Sequence, residues 1–507
     1  MFAEIKSLGL IGMNSFMVNA EIEASRGLPS FDIVGCADTA VRESGERIKS
    51  AFRSSGFKFP EEQIIINLAP ADTKKTGSVH DLAILVALFS VMGFVRADDL
   101  RDCAFVGEVS LGGDIRPVNG VLPMAIMAKK SGIKHFFVPF ENGKEASVCD
   151  GISVYPVKCL RELYDHFNGK TISPSPKYIP SYEEYNENLD YMDVKGQKAA
   201  KKALEIAASG GHNILMIGSP GSGKSMLAKR LPSILPKMTF DESVETTNVH
   251  SIAGILDSKT PLVCERPFRS PHHTISSVGL SGGGTVPKPG EISLAHNGVL
   301  FLDELAEFDR PTLEVLRQPL EDRQVTISRA WGTVTYPSSI MLVVAMNPCP
   351  CGYYGHPTKK CTCTQRKVNQ YMSRISGPLL DRIDIQVEVP PVEFEDISSN
   401  LKEESSAEIR ERVQNAREIQ NARFKGTKIT CNAQITSDII GDVCEMTDSA
   451  KTFLKDVFEK LGLSARGYDR ILKVARTAAD MTGEDLIDKN HIAAAVSYRS
   501  LDRKYFG

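Results

Sequence analysis

Gly218-Ser219-Pro220-Gly221-Ser222-Gly223-Lys224-Ser225 sets a glycine, four further residues and then Gly-Lys-Ser in a row. Glycines at these places let successive backbone N–H groups turn inward around an anion. Lys224 supplies a cation for the β and γ phosphates of a nucleoside triphosphate, and the Ser225 hydroxyl is a ligand for Mg²⁺. Met226 follows directly and belongs to the same contact set. About eighty residues on, the apolar run Val299-Leu300-Phe301-Leu302 ends in Asp303-Glu304. Asp303 is placed to hold Mg²⁺ through water, and Glu304 to polarise the attacking water. The chemistry implied is ATP binding and hydrolysis. A third group is Cys349-x-Cys351 and, after nine intervening residues, Cys361-x-Cys363. Four thiolates suit tetrahedral Zn²⁺, with His356 as an alternative ligand and four free thiols as the plainer reading.

These groups need a scaffold that brings distant segments to one edge. Ile214-Leu215-Met216-Ile217, Val299-Leu300-Phe301-Leu302 and Met341-Leu342-Val343-Val344-Ala345-Met346 are short, wholly apolar runs. They read as parallel strands buried on both faces by helices. Residues 192–395 are therefore expected to form an α/β core. Residues 396–507 read as helical, with segments near 406–422, 448–461, 467–481 and 489–499. Residues 1–168 mix strand alternation (16–24, 64–68) with helical stretches (81–92, 122–131) and read as a separate α/β domain. Residues 169–191, rich in proline, serine and charge, read as a linker.

Net charge is −3, from 60 basic and 63 acidic residues. That balance disfavours a surface coated in positive charge for nucleic acid and leaves room for a local basic channel. The 11 cysteines read as reduced thiols. No run approaches the roughly 18 apolar residues of a membrane span, and the first residues lack a signal-peptide pattern. A cytoplasmic protein with no membrane partner is expected.

The core resembles an AAA+ ATPase. Asp193-Val194-Lys195-Gly196-Gln197 looks like the segment that packs against adenine, which implicates Val194, Gly196 and Gln197. Asn347 matches the polar sensor near the γ-phosphate. Ser376-Gly377-Pro378-Leu379-Leu380-Asp381-Arg382 resembles the arginine-finger segment of the magnesium-chelatase and MCM branch, with Arg382 first and Arg374 second. Ser464-Ala465-Arg466-Gly467 resembles the second sensor, which implies that Arg466 contacts the γ-phosphate. Within that branch the chain is most similar to the magnesium-chelatase-like ComM (YifB) family. The stretches carrying this are Arg266-Pro267-Phe268-Arg269-Ser270-Pro271-His272-His273-Thr274, Pro289-Gly290-Glu291-Ile292-Ser293-Leu294-Ala295-His296-Asn297-Gly298 and Asn347-Pro348-Cys349-Pro350-Cys351-Gly352. The resemblance implies a homo-oligomeric ring, hexameric in the family.

The N-terminal region resembles a Lon protease domain through Val106-Gly107-Glu108-Val109-Ser110-Leu111-Gly112-Gly113-Asp114-Ile115-Arg116-Pro117-Val118. The serine of that family aligns with Val79, and the helix after Gly120 lacks its lysine. A Lon-like fold without protease chemistry follows. The pairs Lys74-Lys75 and Lys129-Lys130 are candidates for phosphate contact.

Two segments look like pore elements of helicase-type relatives. Gln324–Tyr336 reads as a hairpin presenting Arg329 and Trp331, a charge and a stacking surface for nucleic acid. Ser277–Pro289 is glycine-rich, carries Lys288, and is expected to be mobile. The resemblance implies a motor on single-stranded or branched DNA, of branch-migration or helicase type. The alternatives are a metal-inserting chelatase ATPase and a protein-remodelling ATPase.

Overall fold

The computed structural model describes residues 1–35, 38–180, 189–257, 259–329, 332–393 and 403–506. Two compact units emerge, one of residues 1–181, 243–263 and 332–335, the other of the remaining chain.

The first unit is built on a seven-stranded sheet. Its order is Ser30–Val34, Gln63–Ala69, Asn14–Ser25, Phe2–Ile11, Cys103–Phe105, His135–Pro139, Ser153–Val157. The long hairpin Phe2–Ile11/Asn14–Ser25 is antiparallel, while the Cys103, His135 and Ser153 strands run parallel. Helix Asp81–Val91 is apolar nearly all round and buried along almost its whole length, which marks it as the central helix of this core.

The second unit carries five parallel strands in the order Phe268–Arg269, Val299–Leu302, Met341–Met346, Ile214–Ile217, Ile385–Glu388. The three apolar runs are its central strands, every residue buried. The strand first in sequence lies between the fourth and the fifth. The chain order therefore reverses beside it, and in open α/β sheets ligands bind at that crevice.

The helical region forms Ser406–Arg423, Asp448–Leu461, Ala465–Thr482 and Lys489–Ser497. The starts are chemically written: Ser405 and Glu408 make a reciprocal capping box, and Ser464 Oγ accepts from Gly467 N–H at 3.1 Å. These helices share one apolar core with the sheet. Helix Ala465–Thr482 is tied to the sheet's amino edge by the Arg470–Asp384 ion pair. Burial opposes charge on Asp384, yet Arg470, His212 and the Asn213 N–H hold its pKa well below the usual carboxylate range.

Among the described residues no helix is long and apolar enough to cross a membrane. The glycine-rich 277–289 segment has structure of its own: Ser277–Ser281 is a short helix capped by Ser276, and Gly282–Gly283 pairs with Lys288–Pro289. Tyr336 closes it, donating from its hydroxyl to Pro287 O at 2.8 Å.

Candidate nucleotide site

Strand register brings the phosphate-binding residues to one edge. Ile217 lies opposite Met346, so Gly218 and Asn347 leave the sheet side by side. Leu302 lies opposite Val344, which delivers Asp303 to the same carboxyl edge. Gly218 N–H donates to Met346 O at 3.2 Å, and Gly221 and Gly223 have φ of 79° and 95°, values that L side chains rarely adopt.

Lys224 opens helix Lys224–Arg230 and is largely buried. Its ammonium donates to Gly218 O at 2.7 Å, Ser219 O at 3.0 Å and Asn347 Oδ1 at 3.2 Å. Burial pushes its pKa down to about 8. Ser225 Oγ donates to Asp303 Oδ2 at 2.5 Å, joining the two groups suited to share a Mg²⁺ ion. Glu304 has φ 53°, a left-handed conformation that costs a non-glycine residue about 1 kcal/mol. Its side chain is over half exposed and its carboxylate lies 3.9 Å from His273 Nδ1. Strain held at one residue of a site, with the carboxylate open to solvent, suits a group that must meet water and phosphate.

The Val194–Gln197 segment also reaches this edge. Gln197 Nε2 donates to Ser222 O at 3.3 Å and Pro390 O at 2.6 Å, and Gly196 N–H donates to Glu403 Oε1 at 3.0 Å. Val194 is buried, while Met226 is exposed on the first helical turn. Tyr191, without a role in the sequence reading, donates from its hydroxyl to Leu227 O at 3.0 Å and so ties this segment to the Lys224 helix.

Arg374 sits at the turn after Glu304, donating to Ala306 O at 2.7 Å. Arg382 and Arg466 do not join the Lys224 cluster of their own chain. They line a cavity of about 380 Å³ together with Asn213, Gly298, Met341 and Asp384, residues at the amino ends of the strands. A four-residue strand separates the two edges by about 13 Å. Glu321 binds both cations: Arg382 forms an ion pair with it, and Arg466 Nη2 lies 3.8 Å from Oε1. Glu321 was not marked by any motif.

Comparison with known proteins agrees with this layout. Residues 190–397 match the model of magnesium chelatase subunit ChlI, residues 20–142 a second ChlI model, and residues 403–499 the ChlI C-terminal model. The chain is 41% identical over 506 residues to competence protein ComM of Haemophilus influenzae, covering 99% of this chain and 98% of that one. It is 40% identical over 494 residues to the uncharacterized protein YifB of Escherichia coli K12, with 97% and 96% coverage.

This chain belongs to the ComM (YifB) family of magnesium-chelatase-like AAA+ ATPases.

Lon protease 2 of Bacillus subtilis is 26% identical over 201 residues, 36% of this chain and 35% of that one. Ser78 Oγ donates to Glu108, the residue that opens strand Glu108–Val109 in the Lon-like stretch. His80 is buried against Ser7 Oγ at 2.9 Å, its pKa pushed down to about 3 by burial. Lys75 is fully buried with its ammonium on Pro70 O, so it is not a surface phosphate contact; Lys74, Lys129 and Lys130 are exposed.

Two of the ComM-family stretches are joined in the structure. Arg269 from the first holds Glu291 of the second bidentately at 2.6 and 2.7 Å. Arg266 reaches Pro236 O, Asn297 O and Glu242. These charge-assisted bonds fix the edge strand Phe268–Arg269 against Val299–Leu302, behind Asp303.

The four cysteines converge. Their Sγ atoms all lie within 4.8 Å of one another, with Cys349–Cys351, Cys349–Cys361 and Cys351–Cys361 at 3.3, 3.8 and 3.6 Å. A zinc tetrahedron with bonds of about 2.3 Å has edges of about 3.8 Å, so the set fits that ion. His356 Nδ1 accepts from Lys359 N–H at 3.0 Å, which turns this ring to capping its own loop.

Arg329 and Lys288 are both exposed, and their segments adjoin: a Cβ added at Gly283, next in the pairing to Lys288, would lie 3.2 Å from an Arg329 Nη atom. Trp331 lies outside the described residues.

Proposed function

We propose that this chain is the subunit of a ring, hexameric as the family resemblance implies, that couples ATP hydrolysis to movement on DNA. One observation carries the ring. The phosphate-binding residues occupy the carboxyl edge of the sheet and the arginines suited to stabilise transferring phosphate occupy the amino edge. One chain thus presents each half of a site to a different neighbour, and Arg382 and Arg466 act on the nucleotide of the adjacent subunit. Within each subunit Gly218–Met226 cradles ATP, Val194, Gly196 and Gln197 flank its adenine, Ser225 and Asp303 hold Mg²⁺, Glu304 polarises water and Asn347 orients it. A structural zinc ion on the four cysteines belongs to the same reading.

DNA as the track is supported by two things. Exposed Arg329 and Lys288 adjoin on the hairpin and the insert. One relative covering nearly the whole chain is named a competence protein. The activity expected is cytoplasmic strand exchange at branched DNA, in recombination or transformation. ATPase rate with and without single-stranded and branched DNA at low salt tests it: stimulation is expected, and neither binding nor stimulation would refute it.

A further inference from the structure

The cysteine loop begins two residues after Asn347 and ends at helix Gln365–Met372, capped by Thr364. Gly352 lies inside it with φ 81° and is buried. A Cβ added at Gly352 would fall 2.4 and 2.5 Å from Cδ and Cγ of Pro220. The glycine backbone therefore rests directly on the proline ring of the phosphate loop, on the outer side of the turn that Lys224 closes from within. Gly352 N–H is itself bound to Cys349 O at 2.9 Å, so its position is set by the first cysteine turn.

Residues 347–364 contain no strand or helix. Without a shared ligand, four thiols within 4.8 Å of one another contribute little cohesion; a metal ion would fix all four in one geometry. We propose that zinc on Cys349, Cys351, Cys361 and Cys363 holds the phosphate loop in its ATP-binding form, acting through the seat of Gly352 on Pro220. The inference rests on Gly218–Ser225 being the ATP site. It assigns the metal a positioning role: the ion touches no substrate, and its loss lets the wall behind Pro220 move.

The test uses the full-length protein, purified without chelator. Zinc content is expected at about one per chain. Zinc is then extracted with an organomercurial, reversed by excess thiol and ZnCl₂. Binding of a fluorescent ATP analogue is read at each stage, with circular dichroism as a check on folding. Extraction should weaken binding about tenfold with helical content retained, and zinc should restore it. In parallel, Gly352→Ala keeps all four thiols and their zinc but drives a methyl group into Pro220; a comparable loss of affinity at full zinc content is expected. If extraction unfolds the core, this variant alone decides. Zinc well below stoichiometric, or unchanged nucleotide affinity in the zinc-free protein and in Gly352→Ala, overturns the proposal. If the untreated protein binds no ATP analogue, the ATP-site reading fails instead, so the two failures are distinct.

Discussion

The two edges of the five-stranded sheet are built in opposite ways. At the carboxyl edge the catalytic candidates already bond to one another: Lys224 to Asn347, and Ser225 to Asp303. At the amino edge Arg382 and Arg466 share one exposed acid, Glu321, and face a cavity. The first edge is tied together by these bonds among its own side chains. The second holds its cations on a carboxylate that a phosphate can replace. On the proposed ring reading, a neighbour's phosphate would compete with Glu321 for both arginines.

The largest effect is expected at the amino edge. Arg382→Ala should lower ATPase turnover about a thousandfold while nucleotide affinity, read by equilibrium titration, changes little. At the carboxyl edge, Glu304→Gln should lower turnover about a hundredfold and leave ATP trapped, detectable as unhydrolysed nucleotide on the isolated protein. Lys224→Ala should weaken nucleotide binding itself by about a hundredfold. Loss of affinity from Arg382→Ala equal to that from Lys224→Ala would erase the distinction between the edges.

Two smaller effects sharpen it. Trp331→Ala should weaken DNA binding about tenfold with basal ATPase intact; loss of both together would assign the hairpin a structural role. A pH dependence follows from Lys224. Burial lowers its pKa to about 8, so the free protein loses that proton as pH rises through this value. Bound phosphates favour the charged form and raise the pKa again. ATP binding should therefore take up close to one proton at about pH 9 and almost none at about pH 7, and affinity should fall with rising pH. Calorimetry in buffers of different ionisation enthalpy reads this directly, and equal uptake at both values would count against it.

Much of the carboxyl edge was legible in sequence because its chemistry is local. The glycine spacing, the wholly apolar strands and the carboxylates ending Val299–Leu302 each lie within one short segment. The helical segments near 406–422 and 467–481 were legible for the same reason. The amino edge was not. Which end of the sheet receives Arg382 and Arg466 depends on strand order and on the Arg470–Asp384 pair, contacts between segments far apart in the chain. Glu321 sits in no motif and Gly352 only closes a family stretch, and their meaning comes from partners, Arg466 and Pro220, more than a hundred residues away. Lys75 looked like half of a surface basic pair because spacing carries no depth; the fold buries it.

The central claim is that one chain supplies the arginines for another chain's nucleotide. Mixing two inactive proteins, Lys224→Ala and Arg382→Ala, tests it most directly. A ring containing both places an intact phosphate loop from the second beside an intact Arg382 from the first. ATPase activity should reappear on mixing and peak at intermediate ratios. If arginine and phosphate loop had to come from the same chain, every mixture would stay as inactive as its parts.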